Sequence, residues 1–188
     1  NTQKYVWVSE DDLLKSIEFS AFKDFGLYII KSENLFLSIR CGGNGQNGVG
    51  GHSHNDQLSV CLKVGDKILI NDPGSYIYTA DPGLRNKYRS VHSHFSPTVD
   101  KKEPAELAAN LFRLKQNYEV KCLFFDGCKF LGYHTAFGDK AYRYIEISKN
   151  EIKIIDSYAG DEKLDRLALI EDEFEMPVDF STGYGERG

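Results

Sequence analysis

From Gly26 onward the chain is written in short alternating runs of apolar and polar residues, broken by tight-turn signals. Gly26-Leu27-Tyr28-Ile29-Ile30 and Leu35-Phe36-Leu37-Ser38-Ile39 flank Ser32-Glu33-Asn34, which predicts a hairpin. The run from Leu58 to Val64 alternates, turns at Gly65-Asp66 and returns from Lys67 to Asn71, the pattern of a two-residue hairpin. Strands are predicted again over residues 118–125 and 128–134, around Asp126-Gly127. A last hairpin joins Tyr142–Ile147 to Glu151–Asp156 through Lys149-Asn150. Ahead of all these, Leu13, Leu14, Ile17 and Phe22 within Asp11–Phe22 fit a short helix. Strands do not alternate with long helices, and no repeat with a period of about 20–50 residues is present. The expectation is an all-β fold: an antiparallel β-sandwich, supersandwich-like, with at most a short N-terminal helix.

Two stretches break this pattern. Residues 42–51 hold six glycines, with Gln46 and Val49 the only bulky side chains, as in a flexible loop or one that lets another chain approach closely. Residues 73–106 are irregular and polar, and long for a plain connection; ordered loops of that length usually carry function.

Composition narrows the field. At 188 residues with 41% hydrophobic content, the chain can bury one domain's core. Its 23 basic residues against 28 acidic ones, a net charge of −5, argue against a general nucleic-acid binder. No apolar run of about 18 residues marks a membrane span. The chain opens at Asn1 and closes on Ser181-Thr182-Gly183-Tyr184-Gly185-Glu186-Arg187-Gly188, which reads as one domain, residues 1–188, cut from a longer protein. Cys41, Cys61, Cys122 and Cys128 show no Cys-x-x-Cys spacing; Cys61 and Cys122 lie in apolar strand-like runs, where buried thiols are the plain reading, and Cys122 and Cys128 could bridge a hairpin.

The chemistry concentrates in the histidines. Four of the five fall in two His-x-His pairs, His52-Ser53-His54 and His92-Ser93-His94. In an extended backbone the two imidazoles of such a pair point to one side. With Asp72, which precedes Pro73-Gly74, His54 and His94 make a His/Asp/His set suited to a zinc-like ion. Asp72 reads equally well as a turn former. His52 is then a fourth ligand or a base facing a substrate, and Asp56 an orienting carboxylate or a solvated one. Arg85 and Arg89, with Tyr76, Tyr78 and Tyr88, form a second cluster that could clamp carboxylates or sulfates and stack on sugars, or serve as ordinary packing. His134 reads as an ordinary strand histidine.

Gly51-His52-Ser53-His54-Asn55-Asp56-Gln57-Leu58-Ser59, Asp72-Pro73-Gly74-Ser75-Tyr76-Ile77-Tyr78, Arg85-Asn86-Lys87-Tyr88-Arg89-Ser90 and His94, in that order, resemble the heparinase II/III-like family of polysaccharide lyases. The resemblance implies the C-terminal β-sandwich of a two-part enzyme whose N-terminal α/α toroid lies outside this chain, with the substrate in the cleft between. It implies one mainly structural zinc on His54, Asp72 and His94, a catalytic His52, and Tyr76, Tyr78, Arg85 and Arg89 near the substrate. The implied substrate is an acidic, uronic-acid-containing polysaccharide such as a glycosaminoglycan or alginate, cleaved by β-elimination outside the cytoplasm. The family's key Tyr and carboxylate-gripping residue belong to the toroid, so the isolated chain is expected to fold but not to turn over.

Three rivals compete. A metallo-β-lactamase-type hydrolase shares His-x-His-x-Asp but wants His where Gln57 stands. A cupin-like metal or sugar binder needs a Glu shortly after the histidine pair, where this chain has Asn55 to Ser59. A non-catalytic carbohydrate-binding sandwich keeps the fold and the metal without the reaction.

Overall fold

The computed structural model describes residues 1–45, 47–107 and 110–188; Gln46 of the glycine-rich loop lies outside them. The strands are β1 (Thr2–Val8), β2 (Glu18–Phe22), β3 (Leu27–Lys31), β4 (Leu35–Arg40), β5 (Val60–Val64), β6 (Lys67–Ile70), β7 (Val120–Phe125), β8 (Lys129–Phe137), β9 (Asp139–Ile147), β10 (Glu151–Tyr158), β11 (Leu169–Ile170) and β12 (Glu173–Phe174). They build two five-stranded antiparallel sheets, ordered β1-β10-β9-β8-β7 and β2-β3-β4-β5-β6, with a small β11-β12 ribbon. This is the expected antiparallel sandwich.

Alternation explains the packing. On β4, Leu35, Leu37 and Ile39 are buried while Phe36 is exposed. They meet Ile145, Ile152 and Ile154 from the other sheet in one core, joined by Tyr5, Trp7 and Phe95. The predicted hairpins form with their expected turns, Lys31 pairing Phe36 and Val64 pairing Lys67. β5 begins at Val60 rather than at residue 58, because Leu58 adopts a left-handed backbone, φ 64°.

Three expectations change. The helix over Asp11–Phe22 is absent. Its first half is a series of tight turns, with the Asp12 side chain accepting from Leu14 N at 3.0 Å. Ser16 then leaves the helical region at φ 56°, and residues 18–22 pair with β3 as an edge strand. Among the described residues the one α-helix, α1 (Pro82–Arg89), lies instead inside the long polar stretch. Its signals are local: Asp81 caps Leu84 N at 2.9 Å, Pro82 occupies the first turn, and Lys87 and Arg89 sit in the last. A single 3-10 turn, Val91–Ser93, follows. The four cysteines are free thiols, so Cys122 and Cys128 do not bridge. No described helix is long and apolar enough to cross a membrane.

Candidate active site

The glycine-rich loop, the end of β6 and the α1 region meet at one side of the sandwich. Gly50 is there because of close approach: its backbone is left-handed, φ 66°, and a Cβ would stand 2.6 Å from the Leu114 carbonyl. Leu114 N donates to Val49 O at 2.8 Å, which fastens residues 110–116 to the loop.

The His52–His54 segment is not a strand, yet both imidazoles line one cleft of about 450 Å³, with Arg40, Asp56, Asp72 and Ser75. His52 is exposed and His54 buried. Asp72 performs two roles. Its Oδ1 accepts from Gly74 N at 2.8 Å, the expected turn, while Oδ2 lies 3.0 Å from His94 Nδ1. The His94 and His54 rings are 5.3 Å apart. All three predicted ligands therefore fall in one cluster. The other histidine of the second pair, His92, points away and contacts the Lys101 carbonyl at 3.1 Å.

Electrostatics in the cluster follow burial first. Burial pushes His54 down to about 3, with the neighbouring His94 adding to the effect. His54 is therefore neutral, and its Nε2 takes a contact from Arg85 Nη1 at 3.0 Å. Burial opposes charge on His94 and on Asp72 as well, but their mutual contact wins, raising the imidazole and lowering the carboxyl.

The donor set suits zinc: two imidazoles and one carboxylate, with His94 Nε2 buried and lacking a hydrogen-bond partner. In the arrangement described, the groups contact one another, and no three His, Cys, Asp or Glu side chains among the described residues already encircle a common point.

The predicted substrate residues separate. Tyr78 stands beside His52, ring centroids 5.6 Å apart. Tyr76 does not reach the cleft wall; it is packed between Tyr88 at 5.2 Å and Arg187 at 4.5 Å. Arg85 and Arg89 are wholly buried. Arg85 lies over the Tyr78 ring at 4.8 Å, its Nε and Nη2 lacking hydrogen-bond partners. Arg89 bonds Asn86 Oδ1 at 2.8 Å and the carbonyls of Leu111 and Arg113 at 3.2 and 3.3 Å. In this arrangement the Arg85 guanidinium braces a histidine and the Arg89 guanidinium braces backbone.

Sequence reasoning missed the residues that hold the site. Buried Asn55 donates to Glu103 Oε2 at 2.7 Å and to Ala105 O at 2.8 Å, and its own N–H reaches Arg89 O at 2.9 Å. Glu103 also accepts from Val91 N at 2.9 Å and from the Ser90 hydroxyl. One carboxylate and one amide thus tie the loop bearing His54 to the turn bearing His94. Asp56 lines the cleft, and burial raises its carboxyl; it makes no hydrogen bond to either imidazole among the described residues.

The model of the family "Heparinase II/III-like, C-terminal" matches residues 15–180. The chain belongs to that family. This heparinase II/III-like domain also shares its fold with solved lyase structures. Heparan sulfate lyase HepC from Pedobacter heparinus superposes with a TM-score of 0.60 at 17% identity, over 76% of this chain and 22% of that one. A heparinase III gene product gives 0.59 at 16% identity, over 79% and 23%. A further heparinase III structure gives 0.53 at 14% identity, over 70% and 20%. The chain therefore spans less than a quarter of the length of the structures it matches. No curated protein sequence matches it significantly.

Proposed function

We propose that this heparinase II/III-like domain is the sandwich part of a polysaccharide lyase that cleaves uronic-acid-containing chains by β-elimination. The observation that carries the reading is His52: an exposed imidazole on the wall of a cleft, next to a buried His54–His94–Asp72 cluster that fixes the loop behind it.

The chemistry demands three things. Charge on the uronate carboxylate must be offset so that the C5 proton becomes acidic. A base must take that proton. An acid must protonate the C4 oxygen as its bond to C4 breaks and a C4–C5 double bond forms. In this reading His52, exposed on the cleft wall, takes the C5 proton or shares that task. Arg40 on the cleft wall offers positive charge at the surface. Arg85, being buried, contributes through its field rather than by touching substrate. The leaving-group acid and the direct carboxylate grip fall to a helical N-terminal part beyond this chain, so the 188-residue chain alone is expected to fold and to lack turnover.

Zinc is part of the proposal. His54, Asp72 and His94 would hold it, and bound there it would supply positive charge and cross-link two loops. His52 lies outside that set, which leaves its nitrogens for substrate.

The decisive test uses the full-length enzyme on glycosaminoglycans and polyuronates, followed by the ultraviolet absorbance of an unsaturated uronate. H52A should abolish the signal while folding is retained. Undiminished turnover in H52A would remove the catalytic assignment, and cleavage without the unsaturated chromophore would indicate a hydrolase.

A further inference from the structure

The rim beside His52 carries three aromatic rings from three distant segments. Tyr78 follows β6, Phe112 precedes β7, and Tyr184 comes from the C-terminal segment. Tyr78 links the others: its centroid is 6.0 Å from Phe112 with the planes 20° apart, and 6.0 Å from Tyr184 with the planes 17° apart. His52 meets Tyr78 and Phe112 edge-on, at 5.6 and 6.0 Å. Phe112 is 43% exposed and Tyr184 63%, and none of the three belongs to either buried apolar cluster. Large rings left in water beside a reactive side chain are costly unless something covers them.

The rings are held in place from behind. The buried Arg89 guanidinium donates to the carbonyls on both sides of Phe112, those of Leu111 and Arg113. Gly185 N donates to Tyr76 O at 2.7 Å, which anchors Tyr184 over the segment bearing Tyr78. The segment carrying Phe112 also bears exposed Arg113 and Lys115, and neither pairs with a carboxylate among the described residues.

We propose that Phe112, Tyr78 and Tyr184 form a sugar-stacking shelf that receives pyranose rings of an acidic polysaccharide, with Arg113 and Lys115 supplying the charge that selects an anionic chain. A pyranose has an apolar C–H face and a polar rim, which suits an exposed aromatic flanked by cations. The identity of the occupant rests on the lyase reading; the existence of the shelf rests on the rings.

The test measures binding of heparan sulfate hexasaccharides, with uncharged cellohexaose as comparison, to the 188-residue chain, and KM in the full-length enzyme. F112A and Y184A should each weaken hexasaccharide binding about three- to tenfold and raise KM, with an unchanged urea midpoint, because ring contacts of this kind differ by that order. F112W should restore binding. R113Q combined with K115Q should flatten the salt dependence and reduce the preference for heparan sulfate over cellohexaose. Binding and KM untouched by F112A and Y184A would overturn the shelf and leave the lyase reading standing. Ring-dependent binding without any unsaturated product from the full-length enzyme would support the shelf while sinking the lyase reading.

Discussion

Removing Arg143 is the sharpest test of how the sandwich holds the site. Arg143 on β9 and Asp156 on β10 are cross-strand partners at core-facing positions, both buried. They form a two-pronged pair, Nε to Oδ1 at 2.7 Å and Nη2 to Oδ2 at 2.6 Å. The remaining Nη1 donates to the carbonyls of Leu58, at 2.6 Å, and of Phe95. Those carbonyls end the loop after His54 and the turn after His94, so one side chain pins both histidine segments to the opposite sheet. Arg143→Ala strands a buried carboxylate, a change worth about 3–5 kcal/mol when one partner of such a pair is removed. It also leaves two carbonyls short of a donor, at about 1–3 kcal/mol each if they stay dry, and these terms overlap rather than add. The expected loss is about 4–6 kcal/mol, a large part of the roughly 5–15 kcal/mol that holds a domain together. Urea unfolding of the 188-residue chain measures it; the thermal midpoint should fall by roughly 8–24 °C, at about 2–4 °C per kcal/mol for a chain of this length. R143M/D156L, which removes both charges, should be less destabilised than R143A. A loss below about 1 kcal/mol in R143A, or a double variant less stable than R143A, would refute the argument.

Metal analysis of the purified chain should find one zinc per molecule, and H94A should lose it along with several degrees of thermal stability; full stability after chelation would count against the structural ion. His134 is buried, and burial, with Arg143 as a smaller contributor, lowers its pKa to about 3. The unfolded chain therefore takes up a proton below about pH 6.5 that the folded one refuses, so stability falls as pH falls through that window, by about 2 kcal/mol at pH 5. H134Q should flatten that slope relative to wild type, and equal slopes would show that His134 is not the titrating group. D81A removes the cap of α1 and should cost about 1 kcal/mol by urea unfolding; no change would mean that packing, not the cap, sets the start of α1.

The strands and turns were legible because alternation and turn chemistry are local. Leu35-Phe36-Leu37-Ser38-Ile39 states its own period, and Gly65-Asp66 its own turn. The residue types of His54, Asp72 and His94 suggested a shared ion and the resemblance to a known family strengthened that reading; their adjacency in space was not written in any one segment. The α1 signal at Asp81-Pro82 is also local, a cap and a first-turn proline inside a stretch whose polar, irregular pattern predicts a loop. Arg143 and Asp156 sat in view as charges at inward positions of two alternating strands, a pattern that marks a buried pair once the register is known.

What the sequence determined alone is the all-β character, the hairpins and the types of side chain available for chemistry, since these depend on neighbours along the chain. Which arginines face solvent, which tyrosine stands beside His52, and how Glu103 and Asn55 join two loops were decided by tertiary structure. Burial and hydrogen-bond partners come from residues dozens of positions away, and the same guanidinium that could clamp a substrate braces a backbone once the fold encloses it.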